Sequence, residues 1–280
     1  GLEFRRVLFR SVLPVEGVID EVQAEFVGRS VRQILDDDSV KAVVLRVDSP
    51  GGAITPSDQI WRDVQRMRDD GLPVVASFGS MAASGGYYVA CGADHIVAEE
   101  TCITGSIGVI AQVFTLENLM DKVGVEPVTL VATRSPGKAT ANDTFRNWTE
   151  EDRAQVRMLI DEAYDLFRRR VEDGRHGVIG DEGGFDRVAD GSVFSARQAL
   201  DAGLIDGVGY LEDAIGQVEQ MAGLATGEAT VVRYLELPSL MGALGLASLE
   251  RRSSADLLDA DRLRAFVNEL SSVRLMYLMH

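Results

Sequence analysis

Residues 40–52 read VKAVVLRVDSPGG, and the prediction of the fold starts from this stretch of the 280-residue chain. Its first eight residues are mostly apolar and rich in β-branched side chains, which predicts a buried strand over 40–47. The DSPGG that follows predicts a loop, in which Gly51 and Gly52 leave main-chain N–H groups unobstructed. Such N–H groups can stabilise a developing oxyanion, and a tight turn before a helix has the same composition.

Strand and helix patterns alternate on both sides of this stretch. Apolar runs predict strands at 73–78, 95–98 and 127–132. Helical spacing of apolar residues predicts helices at 26–36, 56–70, 116–123, 149–173, 196–202 and from Leu211 onward. This alternation is typical of an α/β fold with a mostly parallel sheet flanked by helices. Residues 226–280 show no clear period and are expected to form a C-terminal extension that the sequence does not define.

Composition argues against several kinds of partner. The net charge is −16, and an acidic surface disfavours nucleic acid and anionic membranes. Cys91 and Cys102 form no C-x-x-C pair and are predicted to be small buried side chains. The three histidines are scattered without a metal-binding motif, so we expect no metal and no other cofactor. The sequence shows no apolar stretch of about 20 residues to span a membrane.

The segment SMAASGG, residues 80–86, contains the strongest candidate for a nucleophile. Ser84 lies where the strand at 73–78 gives way to two glycines and a short predicted helix that ends by Ala93. In that position its hydroxyl would lie at the positive end of the helix dipole, and Gly85 would offer an unobstructed N–H. A serine before a helix is more commonly an N-cap, so the motif alone leaves both roles open.

A serine nucleophile needs a base, and the sequence favours a lysine over a histidine. Only three of the 28 basic residues are lysines, and one of them, Lys138, lies in a polar loop over 133–148. A buried lysine can lose its proton whereas an arginine cannot, so this scarcity gives Lys138 weight against the alternative of a solvated loop residue. His176 as base would suit an α/β-hydrolase elbow, G-x-S-x-G, but the sequence around Ser84 reads A-A-S-G-G.

Together these segments resemble the signal peptide peptidase A family, whose fold is related to that of ClpP and the crotonases. The matching segments are VKAVVLRVDSPGG (40–52), FGSMAASGGYY (78–88), ITGSIGV (103–109), DKVG (121–124), residues 137–151 around Lys138, and VADGSVFSARQALDAGLIDGVG (188–209). They occur in one consistent order over residues 12–222. The resemblance implies a single catalytic domain over residues 12–225 with a ClpP/crotonase-like fold.

The resemblance also implies roles for individual residues. It implies that Ser84 is the nucleophile, that Lys138 is the general base and that Ser106 orients the lysine amine. The oxyanion hole is expected to come from the main-chain N–H groups of glycines, namely Gly51 or Gly52, together with Gly85. The implied activity is that of a serine endopeptidase with a Ser-Lys dyad.

The resemblance further implies a substrate, an assembly and a location. Extended peptides such as cleaved signal peptides are the expected substrates, bound in pockets for small or apolar side chains. The single ASGGYY and single DSPGG correspond to the short form of the family, which forms closed homo-oligomers. Such members carry an N-terminal membrane anchor and an extracytoplasmic catalytic domain. Residues 1–11 are basic and too poor in apolar residues for a signal peptide, so we expect a non-native or truncated segment outside the fold.

Two other interpretations stay open at this point. A crotonase-like enzyme that acts on acyl-CoA would use the same oxyanion glycines and would not need Ser84 or Lys138. A catalytically inactive scaffold subunit would keep the fold and lose the serine or the lysine, and both are present.

Overall fold

The computed structural model describes residues 9–139, 144–176, 179, 184–225, 230–235 and 274–278. The strands are β1 Phe9–Ile19, β2 Val40–Ala53, β3 Val74–Ala83, β4 His95–Ala98, β5 Ile103–Gly105, β6 Ile110–Gln112, β7 Val193–Ser195, β8 Gly207–Val208, β9 Thr230–Arg233 and β10 Arg274–Leu278. The helices are α1 Glu21–Leu35, α2 Ile54–Asp69, α3 Gly85–Ala90, α4 Glu117–Val123, α5 Glu150–Gly174, α6 Gly184–Val188, α7 Ala196–Asp201 and α8 Leu211–Met221. A short 3-10 turn spans Pro136–Ala139.

The chain forms two compact units. The first, called the serine unit here, comprises residues 1–110, 162–235 and 276–280. The second, called the lysine unit, comprises residues 111–161 and 236–275. The names refer to Ser84 and Lys138, which the two units contain separately.

The serine unit is built on a sheet with the strand order β9-β1-β2-β3-β4-β8, in which every neighbouring pair is parallel. Beyond this row, β5 pairs with the end of β3 in parallel, and β7 pairs with β5 in the antiparallel direction. This topology confirms the predicted α/β fold with a mostly parallel sheet. Parallel sheets are covered on both faces, which explains the continuous apolar run in β2.

Alternate residues of β2 point into two apolar layers. Val43 and Leu45 belong to a core cluster with residues of α1, α2 and α3. Val44 belongs to a second cluster with Val218 of α8, on the other face. Successive side chains of a strand point to opposite faces, so one uninterrupted apolar strand holds helices on both sides.

The predicted end of the central strand is wrong. β2 does not stop at Val47 but continues through the DSPGG segment to Ala53, with a register irregularity between Val47 and Ser49. Glycine explains this extension, because a Cβ at Gly52 would lie 2.0 Å from the carbonyl oxygen of Ile19 on β1. The segment is thus an irregular strand pressed against its neighbour rather than a free loop.

The predicted strand at 127–132 is also wrong. This part of the lysine unit has no regular secondary structure, and Val128 and Leu130 are 79% and 91% exposed. An apolar pattern predicts a strand only where a neighbouring strand is available to pair with it, and the described residues supply none here.

The part of β1 before Val12, and the strands β9 and β10, were not predicted from the sequence. β1 starts at Phe9, so residues 9–11 do not lie outside the fold; Ser11 is fully buried and Arg10 forms an ion pair with Glu219 of α8. Residues 1–8 of the expected non-native segment lie outside the described residues. In the C-terminal extension, β9 runs parallel to β1 and β10 runs antiparallel to the end of β2.

Candidate active site

Ser84 sits on a strained turn between β3 and α3. Its backbone has φ 53° and ψ −116°, a conformation that L-residues rarely adopt outside functional turns. Its N–H donates to the carbonyl of Gly105 at 2.8 Å, and its own carbonyl accepts from the N–H of Tyr88 at 2.8 Å. The side chain is buried, and Ser84 Oγ has no hydrogen-bond partner in the described structure. The hydroxyl therefore does not act as an N-cap, the competing role that the sequence left open.

The two glycine motifs are in direct contact. A Cβ at Gly85 would lie 2.8 Å from Ser57 Oγ, 3.0 Å from the nitrogen of Gly52 and 3.1 Å from Gly51 Cα. A Cβ here would be too close to Ser57 Oγ and tighter than most Cβ contacts to the backbone of β2, so the position favours glycine. The end of β2 and the turn after Ser84 are thus in close main-chain contact.

Both glycines of β2 that were predicted for the oxyanion hole border Gly85. The Gly51 N–H donates to Ser49 Oγ at 3.1 Å. The nitrogen of Gly52 lies 3.0 Å from the position that a Cβ at Gly85 would take, and Gly52 also pairs with β1 and β10. The choice between Gly51 and Gly52 therefore stays a prediction.

Ser106 lies next to the nucleophile turn on the neighbouring strand. Ala83 pairs with Gly105, so Ser84 and Ser106 both follow directly at the same end of β3 and β5. Ser106 also has a positive φ, 51°, and its N–H donates to the carbonyl of Ser192 at 2.7 Å. Ser84 and Ser106, both with a positive φ, therefore follow the ends of two adjacent strands. The hydrogen bond to Ser192, just before β7, fixes the backbone of Ser106.

Two supporting residues were not predicted from the sequence. Asp48 accepts hydrogen bonds from Ser80 Oγ at 2.7 Å and from the Met81 N–H at 3.1 Å, which ties the end of β3 to β2 just before the nucleophile. Ser57 is buried, and its Oγ donates to the carbonyl of Ala53 at 2.8 Å. The acidic residue of the DSPGG segment could have indicated Asp48 as a supporting residue. Nothing in the local sequence distinguishes Ser57.

Buried polar contacts fix the helix that follows Ser84. The Tyr87 hydroxyl donates to the carbonyl of Leu204 at 2.7 Å, and the Tyr88 hydroxyl donates to Asp58 Oδ1 at 2.6 Å. Burial raises the pKa of Tyr87 far above its usual range, so this hydroxyl stays neutral and acts as a hydrogen-bond donor. α3 is therefore anchored on two sides, which fixes the direction of the turn at Ser84.

The two cysteines lie in the interior of the serine unit. Cys91 and Cys102 are buried free thiols, as predicted, and burial raises the pKa of each to about 12. Neutral thiols of this kind are poor nucleophiles and poor metal ligands. Among the described residues no group of histidine, cysteine and carboxylate side chains is arranged to hold a metal ion. His280 lies outside the described residues.

Lys138 belongs to the lysine unit. It lies in the 3-10 turn Pro136–Ala139, its N–H donates to the carbonyl of Ser135 at 3.0 Å, and it is exposed. The structure thus brings Ser84, Gly52, Gly85 and Ser106 together within one unit and places Lys138 in the other.

The structure thus places Ser84 on a strained strand-to-helix turn beside Gly52 and Gly85, an arrangement typical of serines that act as nucleophiles. Comparison with known proteins supports this class. The family model "Peptidase family S49" matches residues 66–225, more than half of the chain, so the chain belongs to this family. A second model, the N-terminal domain of NfeD1b, matches residues 10–118.

Relatives and solved structures agree with the family. Protease 4 of Haemophilus influenzae is 35% identical over 218 residues, which cover 75% of this chain and 34% of that protein. The chloroplastic serine protease SPPA of Arabidopsis thaliana is 34% identical over 216 residues, covering 77% and 31%. This chain therefore spans about a third of the length of these two relatives. A mutant of the membrane-bound stomatin-specific protease 1510-N has the same fold, with a TM-score of 0.52 at 14% identity, and the match covers 82% of this chain and 99% of that one.

Proposed function

We propose that the chain is a serine endopeptidase that hydrolyses extended peptides with a Ser84–Lys138 dyad and a main-chain oxyanion hole. The observation that carries the proposal is the turn at Ser84, which has a positive φ and lies against the Gly52–Gly85 contact. Membership of peptidase family S49 favours this activity over acyl-CoA chemistry on the same fold.

The serine unit supplies the nucleophile and the electrostatic stabilisation. Ser84 Oγ attacks the carbonyl carbon of the scissile peptide, and the carbonyl oxygen becomes an oxyanion in the tetrahedral intermediate. The N–H groups of Gly52 and Gly85 are proposed to donate to that oxygen. Both groups belong to fixed backbone, so no reorganisation is needed as charge develops.

The lysine unit is proposed to supply the base. Neutral Lys138 would take the proton of the Ser84 hydroxyl during attack and give it to the leaving amine of the substrate, so the Lys138 amine is unprotonated both before and after acylation. In deacylation, Lys138 would take a proton from water as that water attacks the acyl carbon. It would return this proton to Ser84 Oγ as the acyl-enzyme bond breaks. Ser106 is proposed to orient the amine. Support for Lys138 and Ser106 comes from the sequence resemblance, and for Ser106 also from its position beside Ser84.

The substrate and assembly are part of the proposal. We propose peptides with small or apolar side chains, such as cleaved signal peptides, and a closed homo-oligomer as the active form. The relative named serine protease SPPA supports the peptidase activity. No helix in the described part of the chain has the length and apolarity of a membrane span. Membrane association with an extracytoplasmic catalytic domain is proposed from the resemblance alone.

Hydrolysis of fluorogenic peptides tests the function. Peptides with alanine or leucine before the scissile bond should be cleaved faster than otherwise identical peptides with aspartate or arginine. Ser84→Ala should abolish cleavage, whereas Ser30→Ala, which removes a buried hydroxyl in α1, should leave it intact. Full activity in purified Ser84→Ala would refute the proposal.

A further inference from the structure

Strand β3 carries a bulge just before the nucleophile turn. Its pairing with β2 is regular up to Val47 and resumes only at Ser49, which pairs with Ala82. Residues 79–81 of β3 therefore lie opposite Asp48 alone. A bulge bends its strand and redirects a side chain, and bulges are frequent next to active sites. The turn that carries the nucleophile follows within three residues, so the bulge sets the course of the chain into that turn.

The other edge of β3 changes its partner at the same place. Phe78 is the last residue that pairs with β4, and Met81 is the first that pairs with β5. Among the strand pairs of the described residues, none includes Gly79 or Ser80. The backbone ladders on both edges therefore leave this part of β3 to be fixed by other contacts.

The carboxylate of Asp48 makes contacts that the ladders lack. Its Oδ1 accepts from Ser80 Oγ at 2.7 Å and from the Met81 N–H at 3.1 Å. A Cβ at Gly79 would lie 2.9 Å from Asp48 Oδ2, so the glycine leaves room for the carboxylate over the bulge. Hydrogen bonds to a carboxylate are stronger than those between neutral groups. One side chain of β2 thus lies against all three residues of the bulge.

Arg46, two residues earlier on β2, fixes the region that precedes the bulge. Its Nη1 donates to Ser77 Oγ at 2.9 Å, and its Nη2 donates to Glu99 Oε1 at 2.5 Å. Ser77 lies on β3, and Glu99 follows directly after β4. Asp48 is therefore the side chain of β2 that holds the bulge itself.

We infer that Asp48 is a positioning residue, whose carboxylate fixes the bulge of β3 and thereby the place of Ser84 Oγ beside the end of β2. The inference rests on the proposed function, because this placement matters for catalysis only if Ser84 reacts. Asp48 acts through the main chain, from the Met81 N–H to the turn three residues later. β2 runs on from Asp48 into the two glycines predicted for the oxyanion hole. The same strand therefore carries those glycines and the side chain that places the nucleophile relative to them.

Substitutions at two aspartates test this inference. Asp48→Ala removes the acceptor, whereas Asp48→Asn keeps an oxygen that can accept in its place. Asp94→Ala is the matched control, because Asp94 Oδ2 accepts from the Val74 N–H at 2.9 Å at the opposite end of β3. Asp94 Oδ1 accepts from Arg68 Nε at 2.7 Å. Each aspartate thus joins a main-chain N–H of β3 to a polar side chain, and only Asp48 does so beside the nucleophile.

The expected result separates reactivity from stability. Both alanine variants should unfold at a lower urea concentration than the unsubstituted chain, since each leaves a strand N–H without its acceptor. Asp48→Ala alone should lower kcat for a fluorogenic peptide, by about 10- to 100-fold, because a small displacement of a reacting group costs this much. KM should change little, since Asp48 makes no contact with the peptide in the proposed mechanism. Asp48→Asn should recover most of the lost kcat.

Two further measurements keep the test decisive. Ser80→Ala removes only the side-chain donor to Asp48, so it should lower kcat in the same way but less, and it replaces Asp48→Ala if that variant does not fold. Amide hydrogen exchange reports the backbone without any need for catalysis. The N–H groups of Met81 and Ser84 should exchange faster in Asp48→Ala than in Asp94→Ala or Asp48→Asn.

Unchanged kcat in Asp48→Ala, or a loss of kcat just as large in Asp94→Ala, would overturn the inference. Equal exchange at Met81 and Ser84 in the two alanine variants would overturn it as well. If the unsubstituted chain cleaves no peptide, the peptidase proposal fails instead, and the exchange at Ser84 still decides whether Asp48 holds the turn. The two failures are therefore distinguishable.

Discussion

The serine unit and the lysine unit differ in how completely each one fixes its own catalytic candidate. Ser84 is buried, its backbone is held on both sides by hydrogen bonds, and glycines without room for a Cβ surround it. Lys138 is exposed in a short 3-10 turn. In the proposed mechanism the serine unit therefore forms the nucleophile and the oxyanion hole in advance. Lys138 would need a desolvated environment from further contacts, because burial favours the neutral amine that a base requires.

Lys138 offers the test with the largest expected effect. Lys138→Arg keeps the positive charge but cannot give a neutral base, so peptidase kcat should fall by about 10²- to 10⁴-fold, nearly as far as in Lys138→Ala. Lys122→Arg, at an exposed position in the last turn of α4, is the matched control and should retain activity. Steady-state kinetics on assembled protein checks this. Near-normal turnover in Lys138→Arg would show that Lys138 is not the base.

Gly85 provides the corresponding test of the serine unit. Gly85→Ala would place a Cβ 2.8 Å from Ser57 Oγ and 3.0 Å from the nitrogen of Gly52, which should displace the oxyanion donors. Loss of such a donor lowers kcat by about 10²- to 10³-fold. Gly216→Ala in α8, with nothing within 4 Å of the new Cβ, should be neutral. Unimpaired kcat in Gly85→Ala would show that this contact does not shape the site.

The serine unit should also depend on its first strand. Arg10 of β1 pairs with Glu219 of α8, and both side chains are largely buried. Glu219→Ala should lower the free energy of unfolding by about 3 kcal/mol, because it leaves a buried cation. Glu25→Ala, which breaks an exposed pair with Arg29, should cost at most about 0.5 kcal/mol. Urea unfolding measures the free energy of unfolding of both variants. Equal losses in the two variants would show that the Arg10–Glu219 pair stabilises the serine unit no more than an exposed ion pair does.

Acid should loosen the lysine unit at a defined point, with the smallest effect of the four. Hydrogen bonds from Arg146 hold the pKa of the Asp152 carboxyl below its usual range, and the Thr149 N–H donates to it at 2.8 Å. A depressed pKa stabilises the fold above the unfolded value, about 3.9, and this stabilisation is lost as the pH falls. The protection factors of the amides in the first turn of α5, which correct for the intrinsic exchange rate at each pH, should therefore fall below pH 4, and less steeply in Asp152→Asn. Equal pH profiles would contradict this.

The sequence predicted the serine unit well because its signals are local. The apolar run at 40–47 required a strand buried on both faces, and the glycines at 51, 52 and 85 marked backbone in close contact. Long-range pairing was not predictable in this way. The pairing of residues 9–11 of β1 and of the short strands β9 and β10 depends on which edges the sheet leaves free, and the local sequence does not reveal that.

The lysine unit shows the opposite limit of sequence reasoning. The pattern at 127–132 satisfied the rule for a strand, yet the structure leaves Val128 and Leu130 exposed and unpaired there. Strand formation depends on a partner, and local sequence carries no information about a partner that is distant in the chain. The same reason applies to Lys138. Its residue type suggested a base, but the local sequence did not predict its environment.

Reaction with a fluorophosphonate, followed by mapping of the modified peptide, tests most directly that the strained serine is the nucleophile. The probe forms a covalent bond with an activated serine hydroxyl, so one adduct is expected, on Ser84. It should be absent in Ser84→Ala and slowed in Lys138→Arg. An adduct on a different serine, or cleavage of peptides by a protein that never reacts at Ser84, would contradict the central claim.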